Sequence, residues 1–248
     1  MINKSLFSVL IDLNKNEIPI FIPTFNQTSL LEMTISQLNG YDGKIIIYDN
    51  NSTFQPMIDL LNDLGSEYEV VLSGKNSGPR IFTEDMQILG LMPDYFIVTD
   101  PDLIHNQNLP KNYVQEMKKI IDSKSLAKVG FAIEIYDEEE RSNFLDEEAI
   151  VGVEEIYWKQ QIGATSTSDR IFNAAIDTTF SLNKRDACVY HRKFNKPTFM
   201  YPSARIADSY TCRHIGWWKK EIMPQSNEEK EFYYKNQTWS HTERYYYK

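Results

Sequence analysis

The sequence predicts an α/β fold: a mostly parallel sheet flanked by helices, followed by a less regular second half. Three observations carry this. Over the first hundred or so residues, short β-branched and aromatic runs alternate with stretches of helical periodicity. The connections between them are short. Each strand-like run stops at polar, loop-forming residues. Strand and helix alternating through short connections is the pattern of right-handed crossovers in a parallel sheet, and such a sheet gathers its strand ends along one edge, where ligands bind.

Taken in order, Ile18 to Pro23 reads as a first buried strand closed by Pro23-Thr24-Phe25-Asn26. From Ser29 to Leu38 the residues Leu30, Leu31, Met33, Ile35 and Leu38 fall at helical spacing, with Thr28 or Ser29 as the N-cap. Lys44 to Tyr48 is a second strand that stops at Asp49, Pro56 to Leu64 a second helix, and Tyr68 to Leu72 a third strand followed by Gly74 to Arg80. A helical segment over Phe82 to Leu91 leads into the strand Tyr95 to Thr99, which ends abruptly at Asp100-Pro101-Asp102. Beyond it, Tyr113 to Ile121 reads as a helix and Lys128 to Ile135 as a strand. Asp137 to Glu148 reads as a solvated acidic loop or helix face, and Glu154 to Gln161 as a short helix. Ile176 to Leu182 reads as an edge or mixed-sheet strand, residues 201 to 218 as loop, and 227 to 248 as a charged, Tyr-rich tail.

With 248 residues there is enough chain for a sizeable core. The net charge of −9 argues against a nucleic-acid partner, because binding a phosphate backbone needs a basic face. Any phosphate site must then be local and metal-assisted. Cys188 and Cys212 are too few for a disulfide framework and lack metal-site spacing, so buried, reduced thiols in the cytoplasm are expected. No signal peptide and no apolar run of membrane-spanning length is read.

The chemistry is expected at Asp100 and Asp102. A buried strand delivers both to the sheet rim, and Pro101 fixes its own φ and pushes Asp100 out of the helical region, so the two carboxylates converge on one cation. Hard oxygens at such a turn suit Mg²⁺ or Mn²⁺ with phosphate oxygens completing the shell. The plainer alternative is a polar turn after a strand.

The Ile-Pro-Thr-Phe-Asn opening, the Ile-Tyr-Asp-Asn-Asn-Ser strand end, the Asn-x-Gly loop, Asp-Pro-Asp and a later Asp-Thr-Thr-Phe occur in an order that resembles the GT-A glycosyltransferases, most nearly the family 2-like group that builds bacterial surface polysaccharides. The likeness covers about residues 18 to 218. It implies a single GT-A domain over 1–248, with a nucleotide-binding half (18–102), a metal and acceptor half (103–220) and a C-terminal tail (221–248). It also implies a nucleotide-sugar donor, UDP-linked, and transfer with inversion to a hydroxyl of a glycan or lipid-linked glycan.

By the same resemblance Thr24 and Asp49 meet the base and ribose, and Asn76, Gly78 and Arg80 the base or diphosphate. Asp100 meets the ribose or a water on the metal, Asp102 ligates Mn²⁺ or Mg²⁺ directly, and His214 is a further ligand. Asp177 matches the general base, although Ile176 stands where the family more often has Glu. Each has a structural alternative: an Asx turn for Asp49, a surface role for Arg80, a structural aspartate for Asp177, a structural histidine for His214. Trp217 and Trp218 form either a sugar-stacking face or a loop anchor. The segment Arg244 to Lys248 is read as at most a peripheral contact to the inner face of a membrane, or a frayed end. Oligomeric state stays open. A nucleotidyltransferase making nucleotide-sugars is the competing enzyme class, but Pro23 to Asn26 stands where its glycine-rich basic loop belongs. A non-enzymatic carbohydrate-binding module would leave the acidic strand ends unexplained.

Overall fold

The structure, a computed structural model, describes residues 5–236. Its strands are β1 (Ile20–Thr24), β2 (Ile45–Asp49), β3 (Glu69–Leu72), β4 (Tyr95–Val98), β5 (Leu103–His105), β6 (Lys128–Phe131), β7 (Gln161–Ala164), β8 (Arg170–Asn173), β9 (Ser181–Lys184), β10 (Ser203–Ile206) and β11 (Cys212–His214). The α-helices are α1 (Leu6–Asp12), α2 (Thr28–Gln37), α3 (Gln55–Leu64), α4 (Ile81–Glu84), α5 (Met86–Leu91), α6 (Tyr113–Ser123), α7 (Glu138–Asn143), α8 (Glu147–Glu154), α9 (Arg185–Lys193) and α10 (Asn227–Asn236).

One mixed sheet runs through the chain in the order β3-β2-β1-β4-β9-β6-β10-β8-β7, and β5 pairs with β11 in a separate two-stranded sheet. The α/β class is as expected. Strands β3, β2, β1 and β4 are parallel, as the crossovers require. β9 is antiparallel to both β4 and β6, while β10 runs parallel to β6. Because β1 is covered on both faces, it alternates between two cores: Ile20 and Ile22 join the α2, α3 and α6 side, and Phe21 the α1, α4, α5 and α9 side. Cys188 and Cys212 are buried free thiols, and burial pushes Cys188 up to about 12.

Several local expectations give way to tertiary structure. The helix over Phe82 to Leu91 is broken at Asp85, which leaves the helix to cap α5 by accepting from Gln87 N and Ile88 N at 2.9 and 3.1 Å. Neither Thr28 nor Ser29 caps α2; Glu229 of α10 accepts from Ser29 N at 3.0 Å and Ser29 Oγ at 2.6 Å. The acidic stretch forms α7 and α8, capped by Asp137 and Asp146, and Glu140 in it is fully buried. Ile176 to Phe180 is loop, and β9 begins only at Ser181, in the middle of the sheet and not at its edge. Residues 201 to 218, read as loop, contain β10 and β11. Within 227–248, residues 227–236 form α10, docked through Phe232 on Phe54 (ring centroids 4.9 Å apart). Arg244 to Lys248 and His241 lie outside the described residues.

Candidate functional site

The topology brings one set of ends together. Thr24, Asp49 and the Asp100-Pro101-Asp102 turn follow the carboxyl ends of parallel β1, β2 and β4. β9 enters antiparallel beside β4, with Ser181 opposite Val98, so the loop before it delivers Asp177 and Thr178 to the same edge. Between these ends lies a crevice of about 360 Å³, lined among others by Thr24, Asn76, Arg80, Asp100, Asp102 and Asp177. That volume is in the range of small-ligand sites.

The metal-type cluster is built by the small sheet. Leu103 of β5 pairs with His214 of β11, and Ile215 N donates to Asp102 O at 2.9 Å, which sets His214 beside Asp102 despite their distance in sequence. Ligand-type atoms of Asp100, Asp102 and His214 lie within 4.8 Å of one another. His214 Nδ1 stands 3.6 Å from Asp102 Oδ2. Asp102 Oδ1 and His214 Nδ1 are buried, with no hydrogen-bond partner among the described residues. A Cβ on Gly216 would lie 2.3 Å from Asp102 Oδ2, so the missing side chain leaves the room the carboxylate uses. Burial, then the Asp102 carboxylate, pushes Asp100 up to about 7. Two facing carboxylates and an imidazole, with orphaned ligand atoms, fit a hard divalent cation. The ring of Trp217 stacks on His214 at 4.4 Å and 15°, fixing the imidazole plane.

Across the crevice Arg80 and Asp177 form a bidentate ion pair: Nε donates to Oδ1 at 2.7 Å and Nη2 to Oδ2. The Asp177 hydrogen bond holds the guanidinium above its usual value. Gly78 precedes Arg80 with φ +76, a left-handed conformation that glycine adopts at no steric cost, and its N–H donates to Asn76 Oδ1 at 2.9 Å.

The Asp177 loop is anchored from below. Four successive carbonyls accept from side chains of β6 and β10: Ala174 from Ser203 Oγ (3.0 Å), Ala175 from Arg205 Nε (2.7 Å), and Ile176 and Asp177 from Lys128 Nζ (2.9 and 2.5 Å). Thr178 Oγ1 donates to Asp100 Oδ2 at 2.9 Å, tying this loop to the metal-type cluster. Lys128 is wholly buried, and desolvation pulls it down to about 8. Lys128 and Arg205 were not singled out from sequence: Lys128 showed only as a charge at the head of an apolar run, and Arg205 lay in a stretch that reads as loop.

Other expected residues spread out. Asp49 is buried behind the crevice wall, which Asn50 lines instead; its Oδ2 accepts from Ser52 N at 2.9 Å, and burial raises its pKa. Trp217 faces the crevice. Trp218 does not: its indole donates to Glu140 Oε1 at 2.7 Å, and its ring packs against Leu30, Ile215 and Met223, an anchoring role. Tyr233 of α10, unforeseen in the sequence, lines the crevice; burial, then Asp102, raises its phenol well above the usual range. His105 lies away from the site between Phe131 and Phe180, and burial pulls it down to about 4.

No protein-family model and no curated protein matches this chain. Solved structures do. S. aureus TarS (1-349) shares 15% identity over 48% of this chain and 36% of that one, with a TM-score of 0.35. GalNAc-T7, solved with UDP, GalNAc and Mn²⁺, shares 9% identity over 83% of this chain and 46% of that one, with a TM-score of 0.47. The chain thus spans less than half the length of either.

Proposed function

We propose that this chain is a metal-dependent GT-A glycosyltransferase that moves a sugar from a nucleotide-sugar, UDP-linked, to a hydroxyl of a glycan or lipid-linked glycan. The observation that carries this reading is the Asp100, Asp102 and His214 cluster at the carboxyl edge of the parallel strands, facing Arg80 and Asp177 across one crevice. Asp100, Asp102 and His214 are the residues that would hold Mn²⁺ or Mg²⁺, which when bound supplies Lewis-acid stabilisation to a departing diphosphate.

The remaining work falls to the chain itself. Thr24 and Asn50, which line the crevice, would meet the base and ribose, and Arg80, which also lines it, would meet a phosphate, which a guanidinium binds bidentately. The acceptor oxygen attacks the anomeric carbon as the bond from that carbon to the diphosphate oxygen breaks. The bonding pair leaves with the nucleoside diphosphate, and the acceptor proton passes to the Asp177 carboxylate. Attack from the face opposite the leaving group inverts the anomeric centre. The test is a panel of nucleotide-sugars incubated with the protein and Mn²⁺ or Mg²⁺. The expected outcome is slow metal-dependent hydrolysis of one UDP-sugar, together with UDP binding by calorimetry. Absence of both with either metal would overturn the reading.

A further inference from the structure

Arg80 and Asp177 are assigned to opposite partners, one to the donor diphosphate and the other to the acceptor hydroxyl, yet in this structure they occupy each other. Both Asp177 oxygens accept from one guanidinium. Both oxygens of the carboxylate are thus turned away from an acceptor, and the Nε–Nη2 edge of the guanidinium, one of the two it could offer to a phosphate, is taken. We infer that the pair is a latch worked by the donor: an incoming nucleoside diphosphate takes Arg80, and Asp177 turns to the acceptor only then. The inference rests on the donor reading above.

Four features of the site support it. The first is charge. The crevice wall carries Asp100, Asp102 and Asp177, and Arg80 is the permanently charged cation among the described residues lining it, so an anionic ligand has one guanidinium to seek. The second is accessibility. The two side chains are 28% and 40% exposed, so the pair exchanges partners in water. Such pairs contribute little, whereas a diphosphate offers more charge and equally bidentate geometry.

The third feature is what stays fixed. The backbone of residues 174–177 is held by Ser203, Arg205 and Lys128, and Thr178 is tied to Asp100. Release therefore needs only rotation of the Asp177 side chain, and its starting point near the metal-type cluster is preserved. The fourth lies on the Arg80 side. Gly78 leaves the loop before Arg80 without a side chain where it borders the crevice, and a Cβ there would meet nothing within 4 Å, so the guanidinium has room to follow a phosphate. The consequence is that the Asp177 carboxylate turns toward the acceptor side only once an anion has drawn Arg80 away.

The test is calorimetric titration of UDP with Mn²⁺ present, on the wild-type chain, Asp177→Asn, Arg80→Gln and the double variant. The latch predicts that Asp177→Asn binds UDP about 2–5-fold more tightly, because the competitor for Arg80 is gone. Arg80→Gln binds more weakly, and in the Arg80→Gln background the Asp177 change has no further effect. That last comparison separates the latch from a general gain in anion affinity on removing a negative charge. Weaker binding by a folded Asp177→Asn, checked by circular dichroism, overturns the latch and makes Asp177 a support that orients Arg80. Should the amide variant not fold, Asp177→Ser provides the same comparison. UDP binding that is unaltered in Asp177→Asn leaves the donor reading standing and sinks only the latch. No UDP binding by the wild-type chain sinks both.

Discussion

Two carboxylates and an imidazole set the behaviour of this protein at the residue scale. With Asp100 pushed up to about 7 by burial and the facing Asp102 carboxylate, the folded chain binds more protons there than the unfolded chain between the ordinary value of 3.8 and about 7. The stability this gives is full below 3.8 and is lost as pH rises through about 7, where two charges come to face each other. A cation reverses that balance, because it binds the ionised form. Mn²⁺ affinity is therefore expected to climb as pH approaches about 7 and then level off, with proton release on binding below it. Titrations at about pH 5.5 and 8, each in two buffers of different ionisation heat, check this; an affinity independent of pH contradicts it. Asp102→Asn keeps the shape and removes the charge, so metal-dependent UDP affinity is expected to disappear while the melting temperature holds. His214→Ala is expected to weaken metal binding more mildly. Unchanged Mn²⁺ affinity in both variants would take the metal away from this cluster.

At the scale of elements, the site depends on strands that deliver loops. β6 is the clearest case, since it carries both Lys128 under the Asp177 loop and Gly130 against β9. A Cβ on Gly130 would lie 2.5 Å from the Phe180 carbonyl oxygen, a backbone atom that cannot step aside without moving the strand. Gly130→Ala is expected to cost about 1–3 kcal/mol in denaturant unfolding, the usual range for overpacking; a cost below the error of the measurement would show that β9 shifts freely. Lys128→Met keeps the apolar stem but leaves the Ile176 and Asp177 carbonyls without this donor. Buried acceptors stripped of partners cost about 1–3 kcal/mol, and transfer is expected to fall further than that loss alone explains because Asp177 loses its platform. Turnover that tracks stability alone would reduce Lys128 to a structural role. The small β5–β11 sheet acts likewise, with its register, Leu103 opposite His214, setting the spacing of the metal-type cluster.

The whole molecule carries a net charge of −9, so the proposed phosphate site would be a local one, with the Arg80 guanidinium and a cation held by Asp100, Asp102 and His214 set against an acidic background. Among the described residues no helix is long and apolar enough to cross a membrane. Because a ligand that binds only the native state stabilises it, UDP with Mn²⁺ at about 100 times its Kd is expected to add ~2.7 kcal/mol. For a chain of this length that raises the melting temperature by several degrees. Either component alone is expected to do less than the two together. A thermal melt unmoved by the combination would mean that the crevice holds no nucleotide.

The first hundred residues were legible because their signals are local. Apolar runs of strand length, helical repeats and short polar breaks lie within a few residues of one another, and parallel crossovers then leave the strand ends only one edge to share. Asp100 and Asp102 could be read for the same reason, since Pro101 acts on its immediate neighbours. What escaped was decided by partners far away in the chain. β10 looks like loop in isolation and becomes a strand because β6 and β8 flank it. Trp217 and Trp218 are adjacent and chemically alike, and only the position of Glu140 and the Leu30 cluster turned one inward and left the other on His214. Arg80 and Asp177 were each singled out from sequence, but their pairing was not, because it exists only where the loop after β3 meets the loop before β9. Local sequence sets which groups reach the sheet edge. Side-chain geometry between distant loops, fixed by packing and buried hydrogen bonds, decides which of them touch.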